Sequence, residues 1–340
     1  MNGVDTVLRG GLGSWCTAIV AHIERRGELL FERAYGETRD DGDAREVHID
    51  ASFDLASLTK LFVATLALQL GADCRLNLDE PLLRWFPKWR GTAHAAITAR
   101  MLLAHTSGMN SGADYRTLLD ERVEDVALYR ELAAAPGERV IYSDLGMIAL
   151  GALIERVEAL PLATILARRI PRPSLRFRPR PRDRSRIPAT EHDAWRGRVQ
   201  GTVHDEKAAL MGGVSGHAGL FGTAGDVAWL AERYLAALAG RPQSTLPPLI
   251  ARAAVAEAAY DPVLRRGLGW ALKTNDANSC GAKFSAASFG HTGFTGVAVW
   301  ADPERDLQAV LLTNSVYFGR RDSRPFRGAF YDACIEAVDP

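Results

Sequence analysis

The two ends of the chain carry the apolar–polar patterns typical of β-strands. Two apolar runs flank a glycine-containing turn at 25–28, so residues 17–36 are predicted to form a β-hairpin. Residues 267–314 are predicted to form three further strands, with a turn at 302–306 between the last two. Strands at both ends with helices between them predict an α+β fold whose central antiparallel sheet is built from both halves of the chain.

Helical patterns fill the middle of the chain and its last segment. The run from Ser57 to Leu70 is almost wholly apolar, which predicts a helix buried on nearly all sides. A second helical pattern begins at Ser143 and Asp144, directly after a Pro-Gly turn signal, and either residue would cap that helix. Residues 324–338 are predicted to form a final amphipathic helix.

This order of elements predicts two parts. Residues 1–74 and 226–340 would form the sheet domain with its flanking helices, and residues 75–225 would form a mostly helical inserted domain. The active site is expected at the seam between the two parts, where clefts commonly lie.

Composition narrows the function classes. With 340 residues, 47% of them hydrophobic, the chain is long enough for one or two domains with a substantial core. Lys plus Arg and Asp plus Glu both number 41, which argues against a general nucleic-acid or membrane-surface binder. We expect a cytoplasmic protein, because residues 1–13 lack signal-peptide character and no run of 18 apolar residues is present. The four widely spread cysteines are expected to be core residues, without metal-ligand spacing.

Ser57 and Lys60 form the first candidate for chemistry. A serine and a lysine three residues apart on a helix lie on the same face. Burial would favour the neutral amine, and a neutral amine next to a hydroxyl can take its proton and make serine a nucleophile. The positive dipole end of the helix would suit an oxyanion that forms at Ser57.

Two further segments carry polar groups at loop positions. Tyr142 immediately precedes the cap of the predicted helix at Ser143, so its hydroxyl would project from a fixed loop. His291 and Thr292 stand among small residues, including Gly293, that let a ligand approach the backbone closely.

These three segments, in this order, resemble the motifs of the serine β-lactamase and penicillin-binding-protein superfamily. The closer resemblance is to the class C β-lactamase-like serine hydrolases, whose second motif is Tyr-x-Asn, and it runs from about residue 18 to 314. Supporting stretches are Leu78–Pro81, Leu102–Gly108, Gly212–Phe221 and Gly267–Trp270. Esterases, D-aminopeptidases, amidases and acyltransferases share these motifs.

The resemblance implies a role for each matching residue. Ser57 would be the acylated nucleophile, Lys60 its base and Tyr142 a second acid/base. The backbone N–H groups of Ser57 and Phe294 would form the oxyanion hole. Asp144, His291, Thr292 and Gly293 would bind the substrate, with no cofactor and no metal.

Two residues depart from the family pattern. Asp144 stands where asparagine is usual, and a carboxylate cannot donate a hydrogen bond to a substrate carbonyl. Asp144 could instead pair with Lys60 and raise its pKa. His291 replaces lysine, so a permanent charge becomes one expected to titrate near neutrality. Both changes point away from β-lactams and toward esters, amides or thioesters.

The predicted function is therefore a serine acyl hydrolase that works through an acyl-enzyme on Ser57. Two alternatives stay open: an acyltransferase that uses the same acyl-enzyme, and a non-catalytic penicillin-recognising binding module. The expected partner is a small-molecule or peptide acyl substrate, which a carrier could present, and neither nucleic acid nor a membrane.

Three histidine and arginine features stay outside these motifs. Residues 168–186 contain nine arginines and four prolines, and form either a solvated surface loop or a basic border of the cleft that favours acidic substrates. His204, Asp205 and His217 either pin a glycine-rich loop through hydrogen bonds or act in catalysis. His105 is expected to be structural.

Overall fold

A six-stranded antiparallel sheet organises the fold. The computed structural model describes residues 1–111, 114–242, 246–263, 265–275 and 278–339. The strands are β1 (Ala18–Arg25), β2 (Glu28–Gly36), β3 (Phe53–Asp54), β4 (Arg176–Phe177), β5 (Glu191–Asp193), β6 (Gly197–Val199), β7 (Leu220–Gly222), β8 (Ala271–Leu272), β9 (Phe289–Thr292), β10 (Ala298–Asp302) and β11 (Leu307–Thr313). The large sheet has the order β2-β1-β11-β10-β9-β8, so it joins both parts of the chain. This confirms the predicted α+β fold with a shared antiparallel sheet.

Helices cover both faces of this sheet. They are α1 (Asn2–Gly11), α2 (Thr59–Ala72), α3 (Ala99–Leu103), α4 (Val123–Tyr129), α5 (Asp144–Glu158), α6 (Leu162–Arg169), α7 (Glu206–Leu210), α8 (Ala224–Leu238), α9 (Pro248–Val255) and α10 (Arg324–Val338). Helices α1 and α10 bury one apolar cluster against one face, and α8 packs on β1, β10 and β11 within the larger cluster. Among the residues that the model describes, no helix is both long and apolar enough to cross a membrane.

Most of the predicted elements are present, with three differences. The hairpin and the last helix lie where the patterns placed them, but the segment 267–314 contains four strands, because the short β8 adds to the sheet edge. Helix α1 was not predicted. Cys74 is exposed, whereas Cys16, Cys280 and Cys334 are buried as expected.

The segment between β3 and α8 holds helices α2 to α7 and two small sheets. Helix α5 is its centre, because it packs against α2, α3, α4 and α6. The short strands β3, β7 and β4 pair with one another and tie this segment to the turn that precedes α2. The domain limits at 75 and 225 and the cytoplasmic location stay predictions.

Candidate active site

Ser57 lies in a tight turn at the start of α2. The turn spans Ala56–Leu58, and Ala56 has a φ of +43°, a conformation that non-glycine residues rarely adopt. The buried Asp54 carboxylate holds this turn, since it accepts hydrogen bonds from the backbone N–H of Ala56 at 2.8 Å and of His204 at 2.6 Å. The Ser57 side chain faces a cavity of about 480 Å³.

Lys60 is completely buried directly behind Ser57. Its Nζ donates to Ser57 Oγ at 2.9 Å and to the His217 carbonyl at 3.1 Å, and it lies 2.9 Å from Asp144 Oδ1. Burial would lower the pKa of Lys60, but the Asp144 carboxylate and Tyr142 outweigh it and raise that pKa above its ordinary value. Asp144 therefore favours the ammonium form of Lys60 over the neutral amine that is expected from burial alone.

Asp144 sits behind Lys60, away from the cavity wall. Its second oxygen lies 3.2 Å from Lys207 Nζ, so both carboxylate oxygens contact lysines. Burial would raise the pKa of Asp144, but Lys60, His217 and Lys207 lower it well below its usual range. The alternative given in the sequence analysis, that Asp144 pairs with Lys60 and raises its pKa, is what the contacts show, and substrate binding by Asp144 stays a prediction.

Asp205 and His217 extend this buried charge network. His217 Nε2 lies 2.7 Å from Asp205 Oδ1, and its Nδ1 lies 2.7 Å from Ser215 Oγ. Ligand atoms of Asp144, Asp205 and His217 lie within 4.8 Å of one another, as a metal site would require. Two lysine ammonium groups already contact the carboxylates, so a metal ion has no uncompensated charge to neutralise here. The hydrogen bonds hold the glycine-rich loop against Lys60.

Tyr142 reaches the same cluster from the loop that precedes α5. Lys60 Nζ lies 5.0 Å from the centroid of its ring, and Tyr142 contributes to the raised pKa of Lys60. Ser143 caps α5, as predicted, by accepting from the Gly146 N–H at 2.8 Å. His105 Nδ1 accepts from the Ser143 N–H at 3.1 Å, and its ring packs at a tilt of 41° against Tyr142, with centroids 4.8 Å apart. His105 thus fixes the loop that carries the tyrosine.

The segment from His291 to Gly293 closes the site on the side of the sheet. Gly293 is required there, since a Cβ at this position would lie 2.9 Å from the Leu55 carbonyl oxygen and 3.1 Å from Ala56 Cβ. Thr295 Oγ1 donates to the Asp54 carbonyl at 2.9 Å and so joins the turn after β9 to the turn that carries Ser57. The sequence-predicted residues Ser57, Tyr142, His291, Thr292, Gly293 and Phe294 line one cavity.

His291 is neutral, in contrast to the expectation that it titrates near pH 7. Burial, Arg266 and Lys60 lower its pKa to about 3. Its Nδ1 lies 2.7 Å from the Thr292 carbonyl oxygen, which only accepts, so Nδ1 carries the hydrogen. Nε2 is therefore an acceptor; it is buried and has no hydrogen-bond partner among the described residues.

Phe294 contributes a half-exposed ring at the mouth of the cavity. The ring stacks on His204 at 5.5 Å, and Arg320 lies 5.3 Å from its centroid on the cavity side. The oxyanion-hole role of its backbone N–H stays a prediction.

Sequence reasoning missed Arg266 and Lys207, whereas His105 has the structural role that was expected. Arg266 lines the cavity, and its guanidinium carbon lies 5.1 Å from the Tyr142 ring centroid. It directly precedes the stretch Gly267–Trp270, which carried part of the family resemblance. Arg266 is therefore the neighbour of a recognised motif, but the sequence did not indicate that its side chain lines the same cavity as Ser57.

The arginine-rich segment 168–186 lies elsewhere. Arg172 pairs with Asp226 at 2.8 Å, and Arg169 pairs with Glu158 and Asp73. Arg176 and Arg186 line a separate cavity of about 520 Å³. Among the described residues that line the cavity of Ser57, none belongs to this segment.

Comparisons with known proteins identify the family. The model of the Beta-lactamase family matches residues 4–332. The chain is 31% identical over 364 residues to esterase EstB of Burkholderia gladioli, covering 92% of this chain and 89% of the esterase. It is 28% identical to an N-acetylmuramyl-L-alanine amidase of Bacillus subtilis strain 168, covering 92% and 80%.

A solved structure shows the same fold. EstCE1, described as a hydrolase with promiscuous acyltransferase activity, superposes with a TM-score of 0.80 at 22% identity, covering 97% of this chain and 98% of that one. With the family model matched over nearly its whole length, the chain belongs to the Beta-lactamase family of serine hydrolases.

Proposed function

We propose that this protein hydrolyses carboxylic esters of small molecules through a covalent acyl-enzyme on Ser57. The observation that carries the proposal is the hydrogen bond of 2.9 Å from Lys60 Nζ to Ser57 Oγ at the wall of an open cavity. A serine hydroxyl with a lysine and a tyrosine within reach has the partners that a nucleophilic mechanism requires. The similarity to an esterase over nine-tenths of the chain supports an ester as the substrate.

In the first step, Ser57 Oγ attacks the carbonyl carbon of the ester. The serine proton passes into the cluster of Lys60 and Tyr142 and then to the leaving alcohol as the C–O bond breaks. Backbone N–H groups of Ser57 and Phe294 would stabilise the oxyanion. Water then attacks the acyl carbon and gives its proton to the same cluster. The cluster returns this proton to Ser57 Oγ as the bond between Oγ and the acyl carbon breaks, which releases the acid and regenerates Ser57.

The charge on Lys60 sets a condition on this mechanism. An ammonium ion cannot accept the serine proton, so the Lys60–Tyr142 cluster must first lose one proton to become reactive. We therefore assign the reactive form to the cluster with one proton fewer. Activity toward a neutral ester should rise with pH.

Acyl transfer is the second candidate. The same acyl-enzyme would pass its acyl group to an alcohol in place of water, and the similarity in fold to a hydrolase with promiscuous acyltransferase activity favours this branch. An added alcohol should then divert acyl-enzyme from acid to ester, measured as the ratio of the two products.

Intact mass spectrometry after treatment with a fluorophosphonate tests the nucleophile. We expect one adduct on the wild-type protein and none on Ser57→Ala, together with a loss of several orders of magnitude in 4-nitrophenyl ester hydrolysis. Ser279→Ala is the matched control, since Ser279 lines the same cavity and its Oγ accepts from Trp300 Nε1 at 3.1 Å. Labelling that persists in Ser57→Ala would refute the assignment, and absence of any adduct would favour the non-catalytic binding module.

A further inference from the structure

The cavity of Ser57 contains a buried arginine whose charge lacks a direct partner. Arg266 is only 5% exposed, and its Nε and Nη1 atoms have no hydrogen-bond partner among the described residues. Asp261 and Tyr142 act on its charge without bonding these two atoms. Burying an unpaired cation is costly, so such a group points to a ligand that would pair with it.

The backbone holds Arg266 firmly in this place. Its N–H donates to the Ala259 carbonyl at 2.9 Å, and its own carbonyl accepts from Ala258 and Ala259. The side chain packs beside Tyr142, which in turn contacts Lys60. The Arg266 guanidinium carbon and Lys60 Nζ thus lie 5.1 Å and 5.0 Å from the centroid of the same tyrosine ring, and Arg266, Tyr142 and Ser57 line the same cavity.

Neighbouring arginines of the cavity differ in their pairing. Arg265 Nε donates to Glu257 at 2.7 Å and its Nη1 to the Lys273 carbonyl at 2.6 Å. Arg320 pairs with Glu191 and Glu206. Arg327, on α10, also has a buried Nε that no described residue bonds. Arg321 donates to the Ser14 carbonyl at 2.7 Å. Among the arginines that line the cavity, Arg266 therefore has two buried nitrogens without a partner among the described residues, and Arg327 has one.

We propose that Arg266 binds a carboxylate of the substrate, so that the preferred substrates are esters of dicarboxylic acids or similar anionic acyl compounds. This inference rests on the proposed function, because it assigns the substrate class of that same site. His291 is neutral and provides no positive charge where the family has a lysine. After Lys60, Arg266 is therefore the cation nearest to Tyr142 among the described residues. The cavity volume of about 480 Å³ suits a small molecule.

A pair of nearly isosteric esters provides the test. 4-Nitrophenyl hemiglutarate carries a terminal carboxylate, and its glutaramic counterpart carries a neutral amide of the same size. We expect wild-type kcat/KM to favour the carboxylate ester. Arg266→Gln should reduce this preference by about 10- to 100-fold, the loss typical of a charged hydrogen bond. Arg265→Gln removes the same charge from the adjacent, already paired residue and should reduce it far less.

Several outcomes would overturn the inference. The first is an equal kcat/KM of the wild type for both esters. The second is an undiminished preference for the carboxylate ester in Arg266→Gln, and the third is the same loss of this preference in Arg266→Gln and Arg265→Gln. If Arg266→Gln does not fold, the wild-type comparison and Arg266→Lys, which keeps the charge and should keep part of the preference, decide the question.

Binding to Ser57→Ala separates this inference from the proposed function. Calorimetry with both esters does not depend on a serine nucleophile, and the carboxylate ester should bind more tightly unless Arg266 is also replaced. If no variant hydrolyses either ester but this difference in binding holds, the proposed function fails and the anion site stands. If hydrolysis depends on Ser57 but the two esters bind equally well, the proposed function stands and the anion site at Arg266 fails.

Discussion

At the scale of single residues, the charge on Lys60 is set by the groups around it. A carboxylate at 2.9 Å on one side and the serine hydroxyl on the other hold it as an ammonium ion in a site from which water is excluded. Asp144 also contacts Lys207, whose Nζ lies 3.2 Å from its Oδ2, so the strength of the Asp144–Lys60 pair depends on this second lysine. The acid–base behaviour of Ser57 therefore depends on residues that do not line the cavity.

Replacing Asp144 should shift the pH profile of activity. Asp144→Asn removes the anion that raises the pKa of Lys60, so the cluster should lose its proton at lower pH. We expect the rising limb of kcat/KM for a neutral ester to move down by about 1–3 pH units, the usual effect of a directly paired charge. Stopped-flow or steady-state profiles between pH 5 and 10 measure it. An unmoved limb would show that Lys60 does not limit activity.

The opposite change is expected from Lys207→Met. This variant removes the cation that competes for Asp144, so the pair with Lys60 tightens and the rising limb should move to higher pH. Opposite shifts in the two variants exclude a general loss of structure as the cause. Shifts of the rising limb in the same direction would contradict the assignment that Lys60 and Lys207 compete for Asp144.

The identities of Ser57, Lys60 and Tyr142 as candidates followed from the sequence, but their protonation did not. The apolar run around Lys60 predicts that this lysine is buried, and burial by itself favours a neutral amine. The departure of Asp144 from the family pattern indicated a pair with Lys60 as an alternative, but the sequence does not show that the carboxylate lies 2.9 Å from the amine, across 84 residues of chain. For the same reason Arg265 and Arg266 look equivalent in the sequence, although only Arg265 has a partner for its Nε and Nη1.

At the scale of elements, the glycine-rich loop before β7 and helix α5 fit together through close backbone contact. A Cβ at Gly216 would lie 2.0 Å from the Met147 carbonyl oxygen and 3.0 Å from the Gly151 N. The next residue, His217, supplies the carbonyl that Lys60 donates to. The packing of the loop on the helix therefore fixes one of the partners of Lys60.

Gly216→Ala should separate these two elements. We expect a loss of about 1–3 kcal/mol in unfolding free energy from overpacking, together with lower kcat, because the His217 carbonyl moves relative to Lys60. Gly42→Ala is the control, since a Cβ there meets nothing within 4 Å. Chemical denaturation and ester kinetics measure the two effects. Equal stability of both variants would contradict the contact.

Element types were predictable where the sequence pattern was clear. The hairpin and the final helix show periodic patterns, α2 shows a long apolar run, and all three elements are present. Strand β8 has only two residues, too few to show an alternation, and it forms through pairing with β9. Helix α1 was not predicted, since three of its ten residues are glycines, which are poor helix formers.

At the scale of the whole molecule, two buried neutral histidines make stability depend on pH. The pKa of His291 falls to about 3 and that of His105 lies well below its ordinary value, burial being the main cause for both. Unfolding returns each to an ordinary value near 6.5. Between these values the unfolded state binds protons that the folded state does not, so stability falls as pH falls.

His291→Gln should therefore flatten the pH dependence of stability between pH 7 and 5. For one such histidine the linkage amounts to about 2 kcal/mol at pH 5. His192→Gln, at an exposed position, should leave the slope unchanged. Urea unfolding at each pH measures it. Carboxylates whose pKa is lowered by folding, such as Asp144, do not interfere in this range. The stability that they contribute is lost only below about pH 4, where the unfolded carboxylates take up protons.

The large sheet has a further consequence for how the protein reaches its active state. Strand β1 pairs along its length with β11, with Ile19 opposite Thr313, so the central pairing joins residues almost 300 positions apart. Pairings of such sequence separation form slowly. His291 and Gly293, on the far side of β10 and β11, meet the turn of Ser57 only once this sheet is complete. In a refolding experiment, reactivity of Ser57 toward a fluorophosphonate should therefore lag behind the recovery of helical circular dichroism, and so report the last step of folding.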